Sequence, residues 1–259
     1  VDPRPGRGAQ RTLDVAMMSC LYGGFEKNLS RIQGPRGDLT NINGVAFLKL
    51  LISMTDFPKT NFDMKTLVTI LSFLMASYVI AAVGNGDTAP AFTLTDIHGN
   101  TVESSSFAGR PIVLEWINPQ CPFVKKFYSN GDMVKYQRAA AEMGAVWISI
   151  SSNRPGAAQY MSAEENRKWA EQVGHEAIWL MDPEGKMGKA YGAQVTPHMF
   201  IINEAGEVVY QGAIDSIRDA SPASVEKADN YTMLALEALV KGRSIQEERT
   251  RPYGCGIKY

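Results

Sequence analysis

The sequence predicts an α/β domain: a central mixed β-sheet flanked by helices, with an N-terminal β-hairpin and an extended C-terminal tail. Three observations predict it. From residue 111 onward, short apolar runs bounded by Pro, Gly and Asn alternate with segments of helical spacing. One such run, Ile112 to Ile117, is followed closely by Cys121-Pro122, a pair that suits a helix start. Late in the chain, two further apolar runs flank Glu204-Ala-Gly206, a hairpin signal that adds antiparallel strands to a sheet begun by a crossover unit.

The elements follow in order. Ala91 to Val102 reads as a hairpin, with His98-Gly99-Asn100 at its turn. Ile112 to Trp116 is the first core strand, because it is mostly apolar and closed by Pro111 and by Asn118-Pro119. A helix begins after Cys121, breaks at Ser129-Asn-Gly-Asp132 and resumes from about Met133 to Met143. Ala145 to Ser151 is the next strand. Ser162-Ala-Glu-Glu165 is a capping box that opens a helix toward Val173. Ile178 to Met181 is a short strand, followed by a turn at Asp182-Pro-Glu-Gly and a short helix to Tyr191. Met199 to Asn203 and Glu207 to Tyr210 form the late hairpin, and a helix runs from about Ser224 to Lys241, ending at Gly242. The early strand–helix–strand unit requires a right-handed crossover.

The chemistry centres on Cys121. Pro122 lacks the N–H that a first helical residue does not need, so Cys121 is the expected N-cap. A thiol there faces the positive end of the helix dipole and its orphan N–H donors, which favour thiolate, the nucleophilic form. Redox or thiol chemistry follows, with a small buried hydrophobe as the bland alternative.

The 259 residues carry 26 basic and 27 acidic side chains, so no charge excess points to nucleic acid. Three cysteines are too few for a disulfide-stapled scaffold. No Cys, His and carboxylate cluster has a familiar metal spacing, and no cofactor is implied. Residues 64–84 open with Met64-Lys65, run apolar and uncharged, and end in small residues. That is the layout of a secretory signal peptide, with cleavage after Ala81, Ala82 or Gly84; a membrane anchor or a buried helix are the other readings. Residues 1–63 show no sustained periodicity and are expected to be a disordered, non-native upstream extension, with translation beginning at Met64, the rival being a genuine N-terminal extension; Cys20 falls there and takes no role. The domain is then expected over residues 85–245, with a Cys-containing tail at 246–259. Export, to a periplasm or outside the cell, or tethered through 64–84, would allow disulfides to persist.

The order of elements, the cysteine after the first core strand and Val195-Thr-Pro-His198 before the late hairpin resemble the thioredoxin fold. More closely, Gly86 to Asn100, the run Phe107-Ala-Gly-Arg-Pro-Ile-Val-Leu and the tail Arg251 to Tyr259 resemble the alkyl hydroperoxide reductase/thiol-specific antioxidant (redoxin) superfamily, in its peroxiredoxin-like subgroup. The resemblance covers about residues 85–215. It implies a thiol-dependent oxidoreductase that acts through Cys121 on protein or small-molecule thiols and disulfides, or on peroxide, with an external electron donor. It also implies a cis peptide bond at Thr196-Pro197, whose backbone would hold a substrate's extended chain. Two departures stand out. The run Cys121-Pro-Phe-Val124 has no second cysteine, and Asn118 stands where peroxiredoxins place Thr or Ser.

Cys255 is the candidate resolving cysteine. An exported chain with two cysteines more often pairs them, and a Cys121–Cys255 bond would close a long loop, worth roughly 4–5 kcal/mol if chain entropy governs. Asn118, Trp116, Thr196 and Pro197 are the candidate substrate-binding residues. Glu115 on a buried strand is a candidate proton carrier or a salt-bridged carboxylate. Arg138 and Arg218 are the arginines left by elimination for a peroxidase role, and Lys125 and Lys126 are expected to be solvated. The alternatives are a redox-inert binding module, or soft-metal handling by Cys121, Cys255 and His198.

Overall fold

A computed structural model describes residues 82–259. The expected extension at 1–63, with Cys20, and residues 64–81 of the expected signal segment lie outside the described residues. Among those described, no helix is long and apolar enough to cross a membrane. Val83 is buried, and its N–H donates to Ala190 O at 3.1 Å.

The first hairpin is β1 (Thr93–Asp96) and β2 (Thr101–Glu103), with Asp96 accepting from His98 N and Asn100 N across the turn at 2.8 Å each. A 3-10 turn, Ser104–Phe107, leads to β3 (Ile112–Trp116), which is buried at every position. Two helices follow, α1 (Pro122–Tyr128) and α2 (Asp132–Glu142), broken where Gly131 takes a positive φ of 72°. Then come β4 (Val146–Ser151), α3 (Ala163–Val173), β5 (Ile178–Met181) and α4 (Lys186–Tyr191). The capping box at Ser162 and Glu165 is complete in both directions. A short β6 (Val195–Thr196) precedes the late hairpin, β7 (His198–Ile202) and β8 (Val208–Gly212).

The single helix expected over 224–241 is two elements: a 3-10 turn at Pro222–Lys227 and α5 (Tyr231–Val240). Asn230 breaks it, because its side chain accepts from Met233 N at 3.0 Å and starts a new helix. The extended tail contains a strand, β9 (Cys255–Gly256).

The main sheet has seven strands in the order β2-β1-β5-β4-β3-β7-β8. β3, β4 and β5 run parallel, whereas β7 and β8 on one side and β1 and β2 on the other are antiparallel, so the sheet is mixed. Alternation along β3 sends Val113 toward a core shared with Val124, Phe127, Met133 and Leu236, and sends Leu114 and Trp116 toward a core shared with Phe107, Met187 and Tyr191. Helices therefore cover both faces, with α1, α2, α3 and α5 on the first and α4 on the second. β6 and β9 form a separate two-stranded antiparallel ribbon.

Candidate active site

Cys121 lies between the end of β3 and the first turn of α1, with φ −75° and ψ 124°, the extended geometry of an N-cap. Its N–H donates to Asn118 O at 3.0 Å, and its own carbonyl accepts from Val124 N and Lys125 N. The side chain does not use the helix terminus. It makes no cap hydrogen bond; instead the thiol, 0% exposed, donates to Thr196 O at 3.0 Å. The position expected for Cys121 is found, but the sulfur points to a carbonyl across the site rather than to the helix amides.

Thr196 and Pro197 are joined by a cis peptide bond. Thr196 is buried, and its hydroxyl has no hydrogen-bond partner. On the other side of this residue lies the tail: β6 and β9 pair so that Thr196 faces Cys255 and Val195 faces Gly256. Ile257 N donates to Gln194 O at 3.0 Å and extends the ribbon. Gly254 makes the approach possible: its φ is +142°, and a Cβ there would strike the Thr196 carbonyl.

The two cysteines are free thiols. Cys255 is half-buried and packs against the core that holds Cys121. Burial first, then the neighbouring Cys121 side chain, push the Cys255 thiol up to about 12.

Behind the thiol, Glu115 is fully buried on β3. Its carboxyl accepts from Tyr128 OH (3.1 Å), Trp147 Nε1 (3.0 Å) and Ser149 Oγ (2.9 Å). Burial outweighs these bonds and raises the acid to about 7. Ser149 Oγ also meets His175 Nε2 at 2.9 Å, and burial lowers that imidazole to about 4.

This arrangement, a cysteine at a strand-to-helix junction opposite a cis-proline strand, is where comparison with known proteins becomes decisive. The Redoxin family matches residues 84–230, more than half of the chain. The chain belongs to the Redoxin family. A thiol-disulfide oxidoreductase, ResA, of Geobacillus thermodenitrificans is 24% identical over 160 residues, which is 56% of this chain and 83% of that relative. An uncharacterized conserved protein from Geobacillus kaustophilus superposes with a TM-score of 0.59 at 29% identity, covering 68% of this chain and 92% of the other. A hypothetical protein from Sinorhizobium meliloti 1021 gives the same TM-score at 25% identity, covering 69% and 96%. The mixed sheet with helices on both faces is the thioredoxin fold that the resemblance implied.

Within the Redoxin domain, the expected site residues separate. Cys121, Thr196, Pro197 and Cys255 come together. Asn118 borders them, and its amide is oriented by the loop: Nδ2 donates to Gln159 O at 2.9 Å and Oδ1 accepts from Gln120 N at 2.8 Å. Trp116 faces the opposite core, where Nε1 donates to Ser152 Oγ at 3.0 Å and the ring packs on Tyr191 and Phe200. His198 is buried and lowered to about 4 by burial, with Nδ1 accepting from Gln194 N at 3.3 Å. Among the described residues, no group of three or more His, Cys, Asp and Glu is placed to hold a metal ion. Arg138 is engaged with Glu176, and Arg218 donates to Arg251 O at 2.8 Å.

Lys126 corrects the sequence reading. Lys125 is exposed as expected, but Lys126 is 0% exposed and ion-paired with Asp215 at 2.7 Å. A lysine in the helix after a buried strand carries no local sign of burial, because its partner comes from a segment 89 residues away.

Proposed function

We propose that this Redoxin-family chain is an exported thiol-disulfide oxidoreductase or peroxiredoxin-like antioxidant protein that acts through the Cys121 thiolate and is resolved by Cys255. One observation carries the reading: both cysteines meet at Thr196, whose carbonyl accepts from the Cys121 thiol and whose strand pairs with Cys255. The relatives named as thiol-disulfide oxidoreductases support a thiol-based redox role. The apolar run after Met64 supports export.

In disulfide exchange, the Cys121 thiolate attacks one sulfur of the substrate disulfide, forms a mixed disulfide and expels the other sulfur as thiolate. Cys255, once deprotonated, attacks the Cys121 sulfur and releases the second substrate thiol. The substrate gains two electrons, and the chain holds them no longer: it leaves as a Cys121–Cys255 disulfide, which an external dithiol reduces. With peroxide, the thiolate would take one oxygen as sulfenic acid and release an alcohol or water, and Cys255 would condense with it to expel water. Asn118, whose amide is oriented by the loop through Gln159 O and Gln120 N, stands where a peroxiredoxin has a Thr or Ser hydroxyl, and this favours disulfide exchange. Glu115, raised to about 7, is suited to take or return the proton that this cycle moves.

The complete burial of Cys121 favours one rival, a redox-inert binding module. Native alkylation with intact-mass analysis, with and without reductant, separates the two. The oxidoreductase reading expects a Cys121–Cys255 bond that opens with mild reductant and exposes a reactive Cys121. Thiols or a bond that stay inert until the chain unfolds would sink it.

A further inference from the structure

We propose that the buried Lys126–Asp215 pair is a latch: acting through Tyr253, it holds the C-terminal strand over Cys121 and so sets how often that thiol is uncovered. The proposal rests on the reading of Cys121 and Cys255 as a reacting pair. Lys126, Asp215 and Tyr253 are positioning residues here, since none of them is needed at the sulfur.

The contacts are specific. Lys126 Nζ donates to Asp215 Oδ2 (2.7 Å), Ile217 O (2.6 Å) and Tyr253 OH (3.2 Å). The Tyr253 hydroxyl donates in turn to the other Asp215 oxygen, Oδ1. The Tyr253 ring stands edge-to-face on Phe123, with centroids 5.7 Å apart, and Lys126 Nζ lies 5.5 Å from its centroid. Phe123 and Lys126 both belong to α1, the helix that Cys121 caps. Two residues after Tyr253 comes Cys255, paired to Thr196. The cluster therefore ties the cysteine's own helix to the chain just before its partner sulfur.

A buried ion pair is a poor source of net stability, because desolvation consumes most of the attraction. What it does supply is geometry. Asp215 offers its two oxygens to two different donors, one from α1 and one from the tail, so the tail seats in one place. Burial, the bond to Asp215 and the charge of that carboxylate all raise Tyr253, which keeps it a donor. The consequence lies at the sulfur: Cys121 has no exposed surface while the strand is docked.

Alkylation of Cys121 by N-ethylmaleimide in the reduced full-length chain, followed by mass mapping as urea is raised from zero, tests the latch. When closing outpaces the reaction, the rate tracks the open fraction. Local undocking exposes little surface, so it gives a limb that is flat in urea; global unfolding gives a steep one. Tyr253→Phe keeps the ring on Phe123 but deletes the hydroxyl. It should raise the flat limb about tenfold or more, the effect of one hydrogen bond to a charged group. Gly254→Ala, which drives a Cβ into the Thr196 carbonyl, should raise the same limb without touching the latch.

If Gly254→Ala speeds alkylation and Tyr253→Phe does not, the strand covers Cys121 but the latch is overturned. A wild-type rate with no flat limb overturns both, because Cys121 is then reached only by unfolding. The redox reading is tested apart from this, by treating the same chains with oxidised glutathione. A Cys121 that alkylates when uncovered yet forms no disulfide, mixed or internal, leaves the latch standing and removes the oxidoreductase.

Discussion

Glu115 and Lys126 are both wholly buried, one on the strand that leads to Cys121 and the other on the helix that leaves it, yet their surroundings treat charge in opposite ways. Lys126 has a carboxylate at 2.7 Å and a second one, Asp219, at 3.5 Å. Glu115 has hydrogen-bond donors but, among the described residues, no salt bridge; Tyr128, Trp147 and Ser149 are all neutral. Desolvation consequently wins at Glu115 and raises it to about 7. The difference assigns two kinds of work. A paired buried charge is directional and holds elements in register, whereas an unpaired buried acid is free to exchange a proton near neutrality. In sequence, Cys121 lies between these two buried charges.

The largest expected effect comes from removing one half of the Lys126–Asp215 pair. Lys126→Met leaves Asp215 buried without its cation, which should cost roughly 3–5 kcal/mol of stability in urea unfolding. Adding Asp215→Asn should return part of that loss, because the uncompensated charge is gone. If Lys126→Met unfolds at the wild-type midpoint, the pair is not held as ions, and the contrast with Glu115 disappears.

A smaller effect concerns pH. The folded value of Glu115 lies near 7 against 4.5 for the free carboxyl. Below pH 4.5 its contribution to stability is fully present, because the acid is protonated in both states. As pH rises toward 7 the unfolded chain gives up this proton and the folded chain does not, so up to about 3 kcal/mol is lost. His175 and His198 act the other way. Their folded values are about 4 against 6.5, so their contribution is present above pH 6.5 and is lost as pH falls toward 4. Between these limits, Glu115 offsets one of the two histidines. Glu115→Gln removes the offset, and its stability should fall more steeply than wild type between pH 6.5 and 4.5. Parallel curves for the two proteins would mean that Glu115 ionises in the fold much as it does in water.

Much of this site is legible in the sequence, and the illegible parts share a cause. Pro111, Pro119 and Pro122 punctuate the chain so sharply that β3, the N-cap at Cys121 and the start of α1 follow from local rules. The same holds for the capping box at Ser162. Lys126 was beyond reach because Asp215 and Tyr253 lie 89 and 127 residues away, and periodicity reports nothing at that range. The tail strand is two residues long, too short to alternate, and it exists only because Gly254 lets it touch Thr196. Glu115 could be seen to be buried from its apolar neighbours. Its partners could not, since they depend on the register that sets Glu115 opposite Ser149. Asn230 caps a new helix inside the segment read as one, because the helical spacing on both sides of it concealed the break.

The smallest expected effect sharpens the comparison at its most delicate point. Ser149 Oγ lies 2.9 Å from both the Glu115 carboxyl and His175 Nε2, so it is the link between the raised acid and the lowered imidazole. Its bond to Glu115 pulls the acid down, against the larger pull of burial. Ser149→Ala should cost about 1 kcal/mol, the loss of an ordinary buried hydrogen bond. It should also move the Glu115 titration, followed by the carbonyl stretch of the protonated acid, above its wild-type midpoint, because one of the donors that favour the carboxylate is gone. A Glu115 midpoint that falls in Ser149→Ala would show that the serine had been bonding the protonated acid, and that the raised value is set by hydrogen bonding more than by burial.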